Sequence, residues 1–241
     1  MDLALRSVQA HFARMYGPRN SLVNGPFHER ASHMTRRIGR LVDAERKNQP
    51  MEGKLARAVS YFMSVINYFN GAVDLARGMA NKFPSYGCAY CGHMPCDCHT
   101  GHRLDHRQSE TDPLQFGWTI QQWQDHLCRV YGPKNKERVS WEVIGRLVSE
   151  FSELSILNVH GPNTPLKPSQ VLDECEKEAA DVFSWILAVG YVKEISVQEA
   201  VLARYEVCPG CKFAVCDCPL VFLSDDGTHF STVGTQRDTC T

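Results

Sequence analysis

The chain has 241 residues, 43% of them hydrophobic and 22% charged, a globular composition with ample apolar content for a core. Its net charge of −1 hides an asymmetry: residues 1–103 carry +7 and the remainder −8, so either the halves attract and dock, setting basic groups beside an acidic site, or their charges have merely drifted. A membrane-spanning helix is excluded, since no run reaches roughly 18–20 apolar residues, and Met1–Gly17 lacks the basic start and long apolar run of a signal peptide; a cytoplasmic protein with no membrane partner is expected.

The hydrophobic period is helical nearly throughout. In the first half it predicts helices over about Leu3–Tyr16, Phe27–Asn48, Gly53–Phe69 and Gly71–Lys82, followed by Cys88, Cys91, Cys96 and Cys98 in the spacing C-x2-C-x4-C-x-C. The polar stretch His99–Gly117, with several His and Asp residues, reads as a linker. Thr119 is placed to cap a helix running to about Tyr131, with Gln122 completing a capping box and Gly132-Pro133 ending it. Ser140 caps a second helix to about Asn158, His160–Pro165 is a loop, and Ser169 opens a third helix ending near Gly190. Ser196, with Glu199 three residues on, opens a fourth to about Tyr205. Cys208, Cys211, Cys216 and Cys218 then repeat the cysteine spacing, and Val221–Val233 alternates around Asp225-Asp226-Gly227 as a small hairpin or ordered tail.

Two halves of this series match. VQAHFARMYGPRN at Val8–Asn20 answers WQDHLCRVYGPKN at Trp123–Asn135, IGRLV occurs at Ile38–Val42 and at Ile144–Val148, and each half ends in its cysteine cluster. Three features in the same order point to a tandem duplication: residues 1–103, a linker over 104–118, and residues 119–241. The copies differ in four acids. The second has Glu150, Glu153, Glu178 and Asp181, where the first has Ala44, Lys47, Ala58 and Tyr61.

Residues three apart on a helix share a face, so Glu150 projects with Glu153 and Glu178 with Asp181. Each pair falls on the flank of its helix's apolar stripe: Ile144, Leu147, Val148, Phe151 and Leu154 in one, Leu172, Cys175, Ala179, Val182, Phe183 and Ile186 in the other. Packed side by side, the two helices would bring four carboxylates to one rim. Such a group repels itself unless a cation sits within it. Mg²⁺, which prefers hard oxygen ligands and takes phosphate oxygens besides, is the expected one. A single E-x-x-E is most often a solvated face; two such pairs on successive helices raise the metal reading to equal standing.

S-E-F-S-E-L at Ser149–Leu154, followed across a loop by E-A-A-D-V at Glu178–Val182, resembles the MazG-like all-α nucleoside triphosphate pyrophosphatases. The resemblance covers about Thr119–Tyr205 well and Val8–Lys82 as a degenerate echo. Many relatives carry one more acid before the first motif glutamate, where Ser149 stands here, so the number of metal ions stays open. The resemblance implies a fold of two four-helix units packed as an intramolecular pseudo-dimer, because relatives pair their helices across a dimer interface. It implies Mg²⁺-dependent cleavage of a nucleoside triphosphate between its α- and β-phosphates, with Glu150, Glu153, Glu178 and Asp181 on the metal and Glu150 or Glu153 also orienting or deprotonating water. Lys193, Arg204 and Tyr205 are phosphate candidates, with a surface role as the alternative. Trp123, Trp141 and Trp185 are candidates to stack on a base, with the core as the alternative. Arg36, Arg37, Arg40 and Arg57 of the first copy either face substrate phosphates or form a solvated basic face.

The eight clustered cysteines read as two structural Zn²⁺ sites, since four thiolates close a tetrahedron and leave no open position. His93, His99 and His102 are alternative ligands of the first, while Cys128, Cys175 and Cys240 read as plain thiols. Two other functions compete with hydrolysis: a non-catalytic nucleotide-binding or assembly protein, which the retained acids disfavour, and a zinc-stapled nucleic-acid adapter, which the acidic second half disfavours. Nucleic acid is not an expected partner; further pairing into a homo-oligomer is left open.

Overall fold

Local capping chemistry starts the helices. The Thr119 hydroxyl accepts from the Gln122 N–H at 3.1 Å while the Gln122 side chain accepts from the Thr119 N–H at 2.8 Å, so two donors that a helix start leaves bare are both used. The Asp74 carboxylate accepts from the Arg77 N–H and the Ser196 hydroxyl from the Glu199 N–H, each at 3.2 Å. The computed structural model describes residues 3–23, 27–69, 71–98, 112–160, 167–218, 220–223 and 230–233. They form α1 (Leu5–Val23), α2 (Phe27–Arg46), α3 (Glu52–Ile66), α4 (Leu75–Lys82), α5 (Ile120–Glu137), α6 (Ser140–His160), α7 (Pro168–Val192) and α8 (Val197–Tyr205), with 3-10 turns at Asn67–Phe69 and Pro113–Gly117. The expected hairpin is present as β1 (Leu220–Leu223) antiparallel to β2 (Phe230–Val233), Leu220 opposite Val233; its Asp225-Asp226-Gly227 turn lies outside the described residues, as do positions 99–111 and 161–166. The fold is all-α apart from this pair, and among the described residues no helix is long and apolar enough to cross a membrane.

Several boundaries differ from the sequence expectation. α1 and α5 continue through Gly17-Pro18 and Gly132-Pro133. Tertiary bonds hold the last turns past the proline: the Asn20 amide donates to the Ser64 hydroxyl at 3.0 Å, and Lys134 Nζ donates to the Cys98 carbonyl at 2.6 Å. α4 begins at Leu75 rather than Gly71, because Gly71 has φ +81° and stands outside helical backbone. The end of the expected linker is built into the fold. Gln115 is fully buried and donates to the Phe83 carbonyl at 2.8 Å, and the Trp118 carbonyl accepts from the Leu5 N–H at 2.9 Å.

α2 packs on α3 and α6 on α7, but the fourth helices cross over: α4 packs on α7 and α8 on α3, while α2 meets α6. One apolar core therefore runs through both halves, with Phe62 of α3 stacked on Phe183 of α7 at 6.0 Å between centroids. Corresponding bonds recur. Gln9 donates to the Val73 carbonyl and accepts from the Leu75 N–H; Gln124 does the same with Ile195 and Val197. The cysteine loops cross over too, for the Cys96 N–H donates to the Val130 carbonyl of α5 and the Cys216 N–H to the Met15 carbonyl of α1, both at 2.7 Å.

α4 approaches α7 closely because Gly78 has no side chain: a Cβ there would lie 2.5 Å from the Glu176 carbonyl oxygen. Gly78→Ala is expected to lower the free energy of unfolding by about 1–3 kcal/mol in urea titration. Gly145→Ala, at a helical position with nothing within 4 Å, is expected to be neutral or to raise it by up to about 1 kcal/mol.

Candidate functional site

α6 and α7 pack side by side, and the E-x-x-E of one faces the E-x-x-D of the other. Carboxylate oxygens of Glu150, Glu153 and Glu178 all lie within 4.8 Å of one another. Glu178 Oε2 is buried and has no hydrogen-bond partner. Asp181, the fourth predicted ligand, is not part of this trio: its carboxylate accepts from Lys82 Nζ, a lysine at the end of α4 in the other half.

Burial and mutual repulsion mark these acids. Burial, then Asp181, pushes Glu178 up to about 7, against the opposing pull of Lys82. Glu150 is raised first by burial and then by Asp181 and Glu153, with Lys82 and Arg146 acting the other way. Asp181 is raised by burial although Lys82 lowers it. Three converging oxygen donors, one of them an orphan, fit a hard divalent cation. Adjacent ligands of an octahedral Mg²⁺ stand about 3 Å apart and opposite ones about 4.2 Å, so the three side chains would draw in around an ion.

Lys82 is delivered by a clamp at the opposite end of α4. Glu176 is 4% exposed, and its carboxylate accepts from the Asp74 N–H at 2.8 Å and from Arg77 Nε at 2.8 Å. A buried glutamate thus caps the start of a helix from the other half and is matched by a guanidinium. Sequence reasoning missed Glu176 and Lys82. The signal for Glu176 was present, a glutamate inside the apolar stripe beside Cys175 and Ala179; Lys82 carried none.

The remaining site residues are scattered. Trp123 is fully buried, tilted against Trp118 at 4.8 Å between centroids, so it has no face for a base and serves the core. Lys193 Nζ is bound by the Glu45 carboxylate of α2 at 2.6 Å. Tyr205 is 4% exposed and packs edge-on to Phe12. Arg204 faces a cavity with Arg19, Arg37 and Arg57. None of these three is among the cations that act on the acids, which are Lys82 and Arg146. Trp185 is half-buried on α7 four residues after Asp181, hence on the same face. Trp141 is exposed on α6 about two and a half turns before Glu150. In the first half Ala44 and Ala58 are fully buried and Lys47 is exposed.

Each cysteine cluster gathers its four sulfurs to within 4.8 Å of one another. Cys88–Cys98 and Cys208–Cys218 are 3.7 Å apart, close to the roughly 3.8 Å edge of a tetrahedron with 2.3 Å metal–sulfur bonds. The N–H groups of Asp97 and Asp217 donate to Cys91 and Cys211 at 3.3 Å. Such donors outweigh burial at Cys91, where His93 and Asp97 bring the thiol down to about 6. Both clusters are therefore able to hold a metal ion. His93 stays outside the first, its Nδ1 3.9 Å from Asp97; His99, His102 and Cys240 lie outside the described residues. Cys128 and Cys175 are free thiols.

Comparison with protein-family models, with curated proteins and with solved structures finds no match to this chain.

The raised pKa of Glu178 has a thermodynamic consequence in the metal-free protein. Its value of about 7 exceeds the ordinary 4.5, so the folded chain keeps a proton that the unfolded chain releases. The stability this gives is full below about pH 4.5 and is lost as pH rises through about 7. The melting temperature of the metal-free protein is expected to fall relative to Glu178→Gln across this window, measured by calorimetry; a pH-independent difference would contradict the crowding described.

Proposed function

We propose that the chain is a Mg²⁺-dependent nucleotide pyrophosphohydrolase, with one working site at Glu150, Glu153, Glu178 and Asp181. It would convert a nucleoside triphosphate to the monophosphate and pyrophosphate. The observation that carries this reading is the convergence of three carboxylates from two helices within 4.8 Å around a buried, unpartnered Glu178 oxygen. The resemblance of Ser149–Leu154 and Glu178–Val182 to the MazG-like pattern supports the substrate class.

When bound, Mg²⁺ would screen the phosphates and lower the pKa of a coordinated water. Glu150, Glu153 and Glu178 would hold the ion. Glu153, the most exposed of the three, is the acid that bulk water reaches, and it would take the proton as water adds across the α–β anhydride and pyrophosphate departs. Lys82 would keep Asp181 ionised and set an ammonium beside the incoming phosphates. Trp185 would offer its indole to the base. On this reading the N-terminal half is a decayed partner unit, and the chain is an intramolecular pseudo-dimer of two MazG-like four-helix units. The cysteine clusters would be structural Zn²⁺ sites that fasten the ends of α4 and α8.

One observation favours a second reading. The ion pair of Lys82 with Asp181 supplies a built-in positive charge, as expected of a non-catalytic assembly protein that has replaced its metal.

A nucleotide panel with Mg²⁺, reading monophosphate and pyrophosphate, separates the two. Glu150→Gln and Asp181→Asn are each expected to reduce turnover on the order of 10²–10⁴-fold; hydrolysis that survives both removes the assignment, and no hydrolysis of any nucleotide by the unaltered chain selects the second reading. Native mass spectrometry is expected to find two zinc ions per chain. Cys208→Ser should lose one of them and lower the melting temperature, because metal binding here contributes to folding.

A further inference from the structure

Arg204 is the counterpart of Lys82. Each lies eight residues after the cap of its helix, Asp74 for α4 and Ser196 for α8. Lys82 meets an acid; Arg204 does not. It lines a cavity of about 330 Å³ with Arg19 of α1, Arg37 of α2, and Arg57 and Tyr61 of α3. Tyr61 and Ala58 align with Asp181 and Glu178, so this cavity stands where the first half would have its acid site, with the sign of the charge reversed.

Four guanidiniums line it, and Cys208 and Cys218 of the second thiolate cluster line it as well. Among the described residues none of them forms an ion pair with a carboxylate. The Nε groups of Arg37 and Arg204 are buried with no hydrogen-bond partner. Arg37 is held in place, its Nη2 donating to the Tyr61 hydroxyl at 2.9 Å and its guanidinium lying over the Tyr61 ring at 4.3 Å. His33 nearby is lowered by burial and then by Arg36, Arg37 and Arg19, opposed by Glu29. Orphan donors and unpaired like charges around a cavity are costly unless an anion fills it. Planar guanidinium forks match phosphate oxygens in particular. Four guanidinium forks offer more N–H donors than one orthophosphate can accept.

We propose that this cavity binds a compact oligophosphate anion, of the class of pyrophosphate or the phosphate tail of a nucleotide, without a divalent cation. The proposal does not rest on hydrolysis at the acid site, which is scored separately in the presence of Mg²⁺. Isothermal titration calorimetry of the full chain in Mg²⁺-free buffer tests it, with pyrophosphate, a nucleoside triphosphate and orthophosphate as titrants. One pyrophosphate or triphosphate per chain is expected, with orthophosphate weaker by about ten-fold or more. Arg57→Ala, at an exposed position that folding tolerates, and Arg204→Ala are each expected to weaken binding by about ten-fold or more, while Glu150→Gln leaves it unchanged. Which of the two oligophosphates binds tighter names the source. Absence of binding to the unaltered chain, affinity unchanged in Arg57→Ala, or affinity lost in Glu150→Gln overturns the proposal.

Discussion

A single buried carboxylate fixes where the fourth helix of the first half meets the acid site. Glu176 of α7 sits 4% exposed under the first turn of α4, where the Asp74 N–H and the Arg77 guanidinium use up its oxygens. A glutamate at that depth would be strongly destabilising without partners, and its partners come from the other half of the chain. The clamp works only because Gly78 lets the two backbones close to contact. With α4 fixed at its start, its last residue, Lys82, falls beside Asp181.

The opposite charges of the halves, +7 over residues 1–103 and −8 beyond, have specific addresses in the fold. Arg77 with Glu176 and Lys82 with Asp181 carry positive charge from the first half into the second, and Lys193 with Glu45 returns it. Among what is left over are a negative cluster between α6 and α7 and a positive cavity beside α3.

The elements were legible where chemistry is local. Thr119 and Ser196 accept from the N–H groups three residues ahead of them, as expected of those caps; Asp74 does the same for α4 and went unread, the helix being expected to begin at Gly71. The approach of Glu150, Glu153 and Glu178 could also be read, because periodicity fixes which side of each helix they occupy. Gly17-Pro18 and Gly132-Pro133 misled, since local breakers were overridden by side-chain bonds from distant residues. Trp123 misled because helical spacing does not distinguish a wall of a site from the core. Lys82 was beyond reach, and Arg204, read as a phosphate candidate for the acid site, lies instead beside α3: both places depend on the fourth helices crossing to the opposite half, and a sequence that repeats says nothing about which copy a helix will choose.

The crossing of the cysteine loops bears on how the molecule comes into being. Cys96 rests on a carbonyl of α5, and Cys216 on a carbonyl of α1. During synthesis the first loop leaves the ribosome before its seat on α5 exists, so it must wait, unsupported, for later chain to arrive. The second loop finds its seat already made. The two thiolate loops are therefore seated at different stages, the first on chain that follows it and the second by a contact that returns to the first helix.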